Sequence, residues 1–477
     1  MRSSLANAVA LAGIVALAAG CSAVAKDAGF SDVRGLVAAR IGHDPEWNRE
    51  EAEDEAVAGA VRNLLEQDLT AGVAVQVALL NNRNLQATYE DLGVARADLI
   101  QAGLLRNPVI TFERRFSGQA LELDVVQEFI ELITLPLRKR VAGAAFEATK
   151  QHVAAAVLDL AAEVSSTFYA LQGTEQMVAM RRQVVQGSAA AADLAQRMYD
   201  AGNITDLDLR MEQRLTRQAQ LDLAVAEQEV IQQRERLNAL MGLWGAETAW
   251  TISPRLPDPP LVDPPLQGLE SLAVSQRLDL LAARQDIMMA AETLGLTNAL
   301  RWLPGVSGHL HLEREPDGMS TIGPGLEILL PVFDWGQAAV PRDRALLRQK
   351  QQRYTALAIE IRSQVRAAYS RMRTARERAE FYRQTVLPLQ LEILEQAQLQ
   401  YNAMILGPLH LFQLKQAEID SGREYIEAHR DYWVARTQLE HALGGSIKTD
   451  GAVRAEEVPG GTSANDSPSH HHQEVQP

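Results

Sequence analysis

The chain has 477 residues, a formal charge of −15 and only 5% aromatic residues. It is too long for one ordinary globular domain and too acidic, with no basic stripe, to face nucleic-acid phosphates. Abundant Ala, Leu, Gln, Arg and Glu is the composition of long packed helices, and a single cysteine, Cys21, rules out an intrachain disulfide.

Residues 1–20 have the layout of a secretory signal: Arg2 is positive, Ala8 to Ala19 is apolar, and the run is too short to span a bilayer. Ala18-Ala19-Gly20 directly before Cys21 resembles the lipobox of bacterial lipoproteins, although Ala18 stands where that motif usually has Leu. The resemblance implies a mature chain that begins at a lipidated Cys21, with Ser22 in place of Asp implying sorting to the outer membrane. No other segment is an uninterrupted apolar run of transmembrane length, so no spanning helix is expected. A chain of this kind that crosses a membrane does so as a closed barrel. Residues 21–68 form a polar, acidic arm, extended or loosely helical, in which Glu50 to Glu55 is a solvated face.

A helix is expected from Leu69-Thr70, since Val73, Val77, Leu80, Leu85, Tyr89 and Leu92 follow three- and four-residue steps up to Asn107-Pro108. Two strands follow, Val109 to Ser117 and Leu121 to Phe129, the second alternating apolar with acidic residues. Leu135-Pro136-Leu137 is read as a strand end. A long Ala-rich helix then runs to a turn at Tyr199 to Asp206 and returns to Leu240-Met241-Gly242. Residues 246–268 are a Pro- and Asp-rich linker.

Residues 269–445 repeat the scheme of residues 69–245. Val306, Leu310 and Leu312 alternate with Ser307, His309, His311 and Glu313, and a turn at Glu315 to Gly318 leads into Ile322, Leu326 and Ile328. Tyr199 pairs with Tyr401, Leu207 with Leu409, Leu237 with Leu439 and Gly242 with Gly444 at one spacing. Val157, Leu160, Val164, Phe168 and Leu171 pair with Ala358, Ile361, Val365, Tyr369 and Met372, also at a constant spacing. Each repeat thus offers two strands of about ten residues, enough to cross a bilayer when tilted, with the alternating faces of a barrel wall. Its hairpin reaches roughly 85–90 Å at about 1.5 Å per residue. The fold class is mainly α with a membrane β-barrel portion, and four strands close a barrel only if the wall is shared between protomers. The tail, 446–477, ends His470-His471-His472 and lacks core-forming residues.

Taken together, Cys21, Gln101-Ala102-Gly103-Leu104-Leu105-Arg106-Asn107-Pro108, the doubled Leu-Pro ends, the two Tyr-centred tips and the terminal Leu-Met-Gly and Leu-Gly-Gly resemble the TolC-like outer-membrane efflux family over about residues 69 to 445. The Gly-Leu-Leu-Arg-Asn-Pro stretch is similar to that of the heavy-metal branch, where Pro is common in place of Arg106. The resemblance implies a homotrimer whose strands share one barrel and whose helices form a periplasmic tunnel. It also implies a periplasmic adaptor, an inner-membrane transporter and outer-membrane lipid as partners. Gly202, Asn203, Ile204 and Thr205, with Met404, Ile405, Leu406 and Gly407, are the adaptor-binding tips; Gly202 and Gly407 supply turn conformations, and Gly407-Pro408 shifts the second turn relative to the first. Asp208 and His410 are aperture candidates, while Asp206 reads as a helix cap.

His309 and His311 tempt a metal assignment, but no carboxylate or cysteine stands at ligand spacing, and neither a metal site nor a cofactor is expected. His-Glu-x-x-His, a phosphate-cradling glycine loop and Gly-x-Ser-x-Gly are all missing from the sequence, so the chain reads as a passive duct rather than an enzyme. The exit duct of a protein-secretion system and a periplasmic coiled-coil scaffold are the competing readings; the amphipathic strands argue against the scaffold.

Overall fold

A computed structural model of the chain describes residues 27–49, 51–115, 120–315 and 317–447; the signal segment, Cys21, Glu50 and nearly all of the tail lie outside them. The arm is more ordered than its polarity predicts. It forms α1 (Phe30–Ile41) and α2 (Glu51–Leu65), fixed by a few apolar contacts. Phe30 and Trp47 pack on the fully buried Tyr89, with ring centroids 5.0 and 6.4 Å away. Lys150 reaches Asp32 at 2.7 Å.

The helix expected from Leu69 to Asn107 is divided into α3 (Ala71–Asn81) and α4 (Arg83–Ala102). Asn82 adopts an extended conformation, accepts the Leu85 N–H on its side chain and donates to the Leu240 carbonyl at 2.8 Å. One extended, self-capping residue turns the helix axis without disturbing the apolar periodicity, which is why periodicity does not reveal it. The second repeat breaks at Arg277 with the same extended backbone but no side-chain cap, between α7 (Leu269–Gln276) and α8 (Leu278–Leu300).

The strands β1 (Val109–Arg115), β2 (Ala120–Glu128), β3 (Gly305–Arg314) and β4 (Ser320–Leu329) form one antiparallel sheet in that order, so the two repeats meet at β2 and β3. From its end the chain enters α5 (Ile130–Asp200), a 71-residue helix roughly 105 Å long. Leu135-Pro136-Leu137 lies inside this helix and not at a strand end. Helix starts at Ile130 because the Glu131 carboxylate is held by Arg106 and the Thr134 hydroxyl donates to the Ile130 carbonyl; Pro136 costs one ladder bond. In the second repeat, Leu330-Pro331-Val332 does follow directly on a strand. By length and composition α5 would pass for a membrane span, but Val153, Val157, Val164, Phe168 and Leu171 are buried against α3, α4 and other helices. Its partner α6 (Asp206–Met241) completes the first hairpin.

The second hairpin descends through α9 (Ala339–Phe381), a π turn at Tyr382–Val386 and α10 (Leu387–Asn402), and returns as α11 (Pro408–Leu443). The π turn explains an irregularity between the repeats. Buried Val164, Leu171 and Val178 match buried Val365, Met372 and Ala379 at one spacing, whereas buried Ala195 matches buried Ala397 at a spacing one residue longer. An extra residue in an α-helix would turn everything beyond it onto the wrong face; a π turn absorbs the residue and restores the phase. It ends two residues before Pro388, whose missing N–H would break a regular ladder at the same place.

The linker is a strap. Gln172 donates to the Ser253 carbonyl and Gln176 accepts the Leu256 N–H on the first hairpin. On the second, His429 and Trp433 both donate to the Pro257 carbonyl, Arg383 of the π turn pairs with Asp258, and Tyr432, Arg376 and Arg436 converge on Asp263.

Candidate functional site

The register sorts the sheet into two unlike faces. Ile110, Phe112, Leu121, Leu310, Ile322, Leu326 and Ile328 lie on one, all exposed. The other carries Thr111, Glu113, Glu122, Asp124, Glu128, Ser307, His309, His311, Glu313 and Glu327. An exposed apolar face of this extent has no place in water, and its polar reverse has none in lipid; a wall between the two satisfies both. The histidines have carboxylate partners after all. His309 meets Glu327 at 2.8 Å and His311 meets Asp124 at 2.6 Å. These nearest partners stand on neighbouring strands, where spacing along the sequence cannot show them, while Glu313 on the same strand lies 3.7 Å from His311. Among the described residues no group of three His, Cys, Asp or Glu side chains is placed to hold a metal.

Arg106 locks the first helix-to-sheet junction. Its backbone N–H and its Nε both reach the buried Glu131 carboxylate at 2.9 Å, and a terminal nitrogen reaches Glu128 at 3.1 Å. Proline at this position would supply neither the N–H nor the charge.

The hairpin tips lie at the other end of the helices. In the first, Gly202 has φ +75°; its N–H donates to the Tyr199 carbonyl and that of Asn203 to the Met198 carbonyl, the paired closure of a helix end on a left-handed residue. The second tip repeats the bonds, with Met404 donating to Tyr401 and Ile405 to Gln400, so the turn is not shifted by Gly407-Pro408. The left-handed residue there is Met404, at φ +56°, while Gly407 has an ordinary φ of −77° and supplies no special conformation. A non-glycine residue in that region costs roughly 1–2 kcal/mol, and Met404 is 94% exposed.

Beyond the first turn the helix cap is Thr205, not Asp206. The Thr205 hydroxyl oxygen accepts the Asp208 N–H, and Asp208 Oδ2 accepts from both the N–H and the hydroxyl of Thr205. Asp206 pairs with Arg210 at 3.3 Å. Asp208 is thus occupied in a capping box, and His410 is exposed in the first turn of α11. Sequence reasoning missed Glu212, one turn further along α6. It is 3% exposed with Oε2 unpartnered, and burial raises its carboxyl above the usual range against an opposing pull from Lys415.

The outer membrane efflux protein family matches residues 74–243 and 269–445, the two repeats. Among curated relatives, the outer membrane protein OprJ of Pseudomonas aeruginosa is 25% identical over 78% of this chain and 83% of its own length. The cobalt-zinc-cadmium resistance protein CzcC of Cupriavidus metallidurans is 23% identical over 79% and 90%. Of solved structures, CusC superposes with a TM-score of 0.68 at 16% identity, covering 80% of this chain and 93% of that one. The CmeC outer membrane channel of Campylobacter jejuni does so with 0.69 at 16% identity, covering 79% and 86%.

Proposed function

The chain belongs to the outer membrane efflux protein family, and from that premise we propose how its parts serve the outer-membrane channel of a tripartite efflux system. The observation that carries the reading is the separation of a two-faced sheet from two helix tips by roughly 100 Å of helix. The sheet ends in two free edges, β1 and β4. Three copies join those edges into one barrel, with the apolar face toward outer-membrane lipid and the acidic face lining the lumen. The helices continue the passage through the periplasm.

The tips Gly202 to Thr205 and Met404 to Gly407 dock a periplasmic adaptor, which couples the duct to an inner-membrane transporter that supplies the energy. Asp208, through its second carboxylate oxygen, and His410 serve the aperture. Cys21 carries the lipid anchor, and chain length supports this. Gly29 lies against Phe146, about 24 Å along the helix from Ile130. The eight residues from Cys21 to Gly29 extend to about 26–29 Å, enough to reach the membrane.

Metal ions are the proposed cargo, on the Gly103 to Pro108 stretch and on His309 and His311 in the wall. Growth of a deletion strain on metal ions, dyes, detergents and antibiotics tests this. Hypersensitivity to zinc, cobalt, cadmium, copper or silver alone supports metal export, and sensitivity to dyes and antibiotics instead makes the duct a multidrug one. A purified chain that forms no trimer and shows no single-channel conductance would overturn the assembly itself.

A further inference from the structure

The two helix-to-sheet junctions are built from different chemistry. In the first, Arg106 is consumed by Glu128 and Glu131. In the second, the chain leaves α8 through Arg301 and Trp302 and returns from β4 through Trp335. The Arg301 guanidinium carbon lies 4.7 Å from the centre of the Trp302 ring system and 5.4 Å from that of Trp335. Its Nε is buried without a hydrogen-bond partner, and Arg301 joins no ion pair among the described residues. Gly336, at φ +82°, lets the returning loop close on the arginine stem: a Cβ there would stand 3.0 Å from Arg301 Cβ. Trp302 is 68% exposed, and Trp335, Leu330 and Val332 are exposed beside it. They prolong the apolar sheet face of Ile322, Leu326 and Ile328 past the strand end, on the side where the helices begin.

A cation held between two indoles keeps its N–H groups free, because the attraction runs through the ring faces. Indoles gather at the headgroup level of a bilayer. A guanidinium presents a planar fork that fits phosphate oxygens. We propose that Arg301, Trp302 and Trp335 form a binding site for the phosphodiester headgroup of a glycerophospholipid in the periplasmic leaflet. The site rests on the reading that the sheet spans the outer membrane, of which its apolar surface is the continuation. It belongs to the second junction, since Arg106 at the first is committed to Glu128 and Glu131, and it fixes the depth of the second repeat in the membrane.

The test uses the full-length trimer in bilayers containing phosphatidylglycerol. Conductance is measured first, then lipid retained per trimer by native mass spectrometry, then quenching of tryptophan fluorescence by lipids brominated near the headgroup. Arg301→Gln should conduct normally yet retain about tenfold less phosphatidylglycerol, the scale of one lost charge-assisted hydrogen-bonding group. Trp302→Phe with Trp335→Phe should abolish most of the quenching. Inorganic phosphate should not displace the lipid. A conducting Arg301→Gln trimer that keeps its lipid overturns the site. So does displacement by phosphate, which would mark a site for free anions, and so does an Arg301→Gln trimer that dissociates with its lipid content unchanged, which would mean the arginine pairs with a neighbouring copy. Wild-type protein that neither conducts nor is quenched overturns the membrane reading itself, and is told apart by the first measurement.

Discussion

The two hairpins close on the same turn backbone and are otherwise built differently. The first descends as an uninterrupted helix, turns on a glycine and starts its return helix from a threonine in a capping box. The second descends through a π turn, turns on a methionine held in the left-handed region, and starts its return from a glycine with no side-chain cap. The copies therefore diverged without giving up the shape of the tip. The second copy accepts a local cost to expose Met404 and Ile405 where the first exposes Gly202, a strain that fits the proposed adaptor contact. The linker adds to the asymmetry, since its carboxylate ion pairs among the described residues fall on the second hairpin.

That asymmetry can be broken most severely at Asp263, which is largely buried and receives Tyr432 and Arg376. Asp263→Ala should destabilise the chain by about 3 kcal/mol, because two enclosed guanidinium groups each lose one of two carboxylates, Arg376 keeping Glu380 and Arg436 keeping Glu440. Gln176→Ala, on the first-hairpin side, should cost about 1 kcal/mol. Denaturant unfolding compares them, and equal costs would mean that the strap belongs to both hairpins alike. Next comes the π turn. Deleting Gln384 removes the extra residue but places Pro388 in a regular ladder, at about 3 kcal/mol; adding Pro388→Ala should recover most of it. Failure of that rescue would show that the π turn does more than absorb an insertion.

Smaller effects separate the tips. Thr205→Ala should loosen the first by about 1 kcal/mol through loss of the cap, whereas Met404→Gly should tighten the second by about 1 kcal/mol. Hydrogen exchange at each turn reads both. If Met404→Gly also weakens capture of the adaptor, the strain at this tip serves binding. The smallest effect is titration of His429, which donates to Pro257 and is buried beside Tyr425, near Asp258, Arg383 and Arg255. Burial lowers its imidazole below the ordinary 6.5. The unfolded chain therefore takes up the proton first on acidification. The stability contributed by neutral His429 is full above pH 6.5 and is lost as pH falls through the lowered folded value. His429→Gln should flatten that part of the stability profile between pH 7.5 and 5.

Much of this was legible in the sequence. The duplication, the strand pairs, the tips and the strand faces follow from apolar spacing, because burial imposes spacing on any helix or strand. What spacing does not carry is the conformation of single residues and contacts across strands. Asn82 and Arg277 each break a helix while leaving its apolar stripe in phase. His309 and His311 find their nearest carboxylates on other strands. Met404 takes a left-handed turn that its residue type does not announce, and Pro136 sits within a helix whose first turns are secured by Arg106 from elsewhere. The π turn was the exception: the spacing from Leu171 to Tyr199 is one residue shorter than that from Met372 to Tyr401, with a proline between the latter pair.

The strapped linker has a consequence for how the two halves stay together. Pro259-Pro260 stands between anchors at Pro257 and Asp263, each tied by side chains of the second hairpin. Helix α11 also packs along α5, so the halves recognise each other without the peptide that joins them. A chain severed between those prolines is expected to reassemble from two separately made polypeptides. The present arrangement is thus a pair of self-associating hairpins whose joining peptide is tied down along the second.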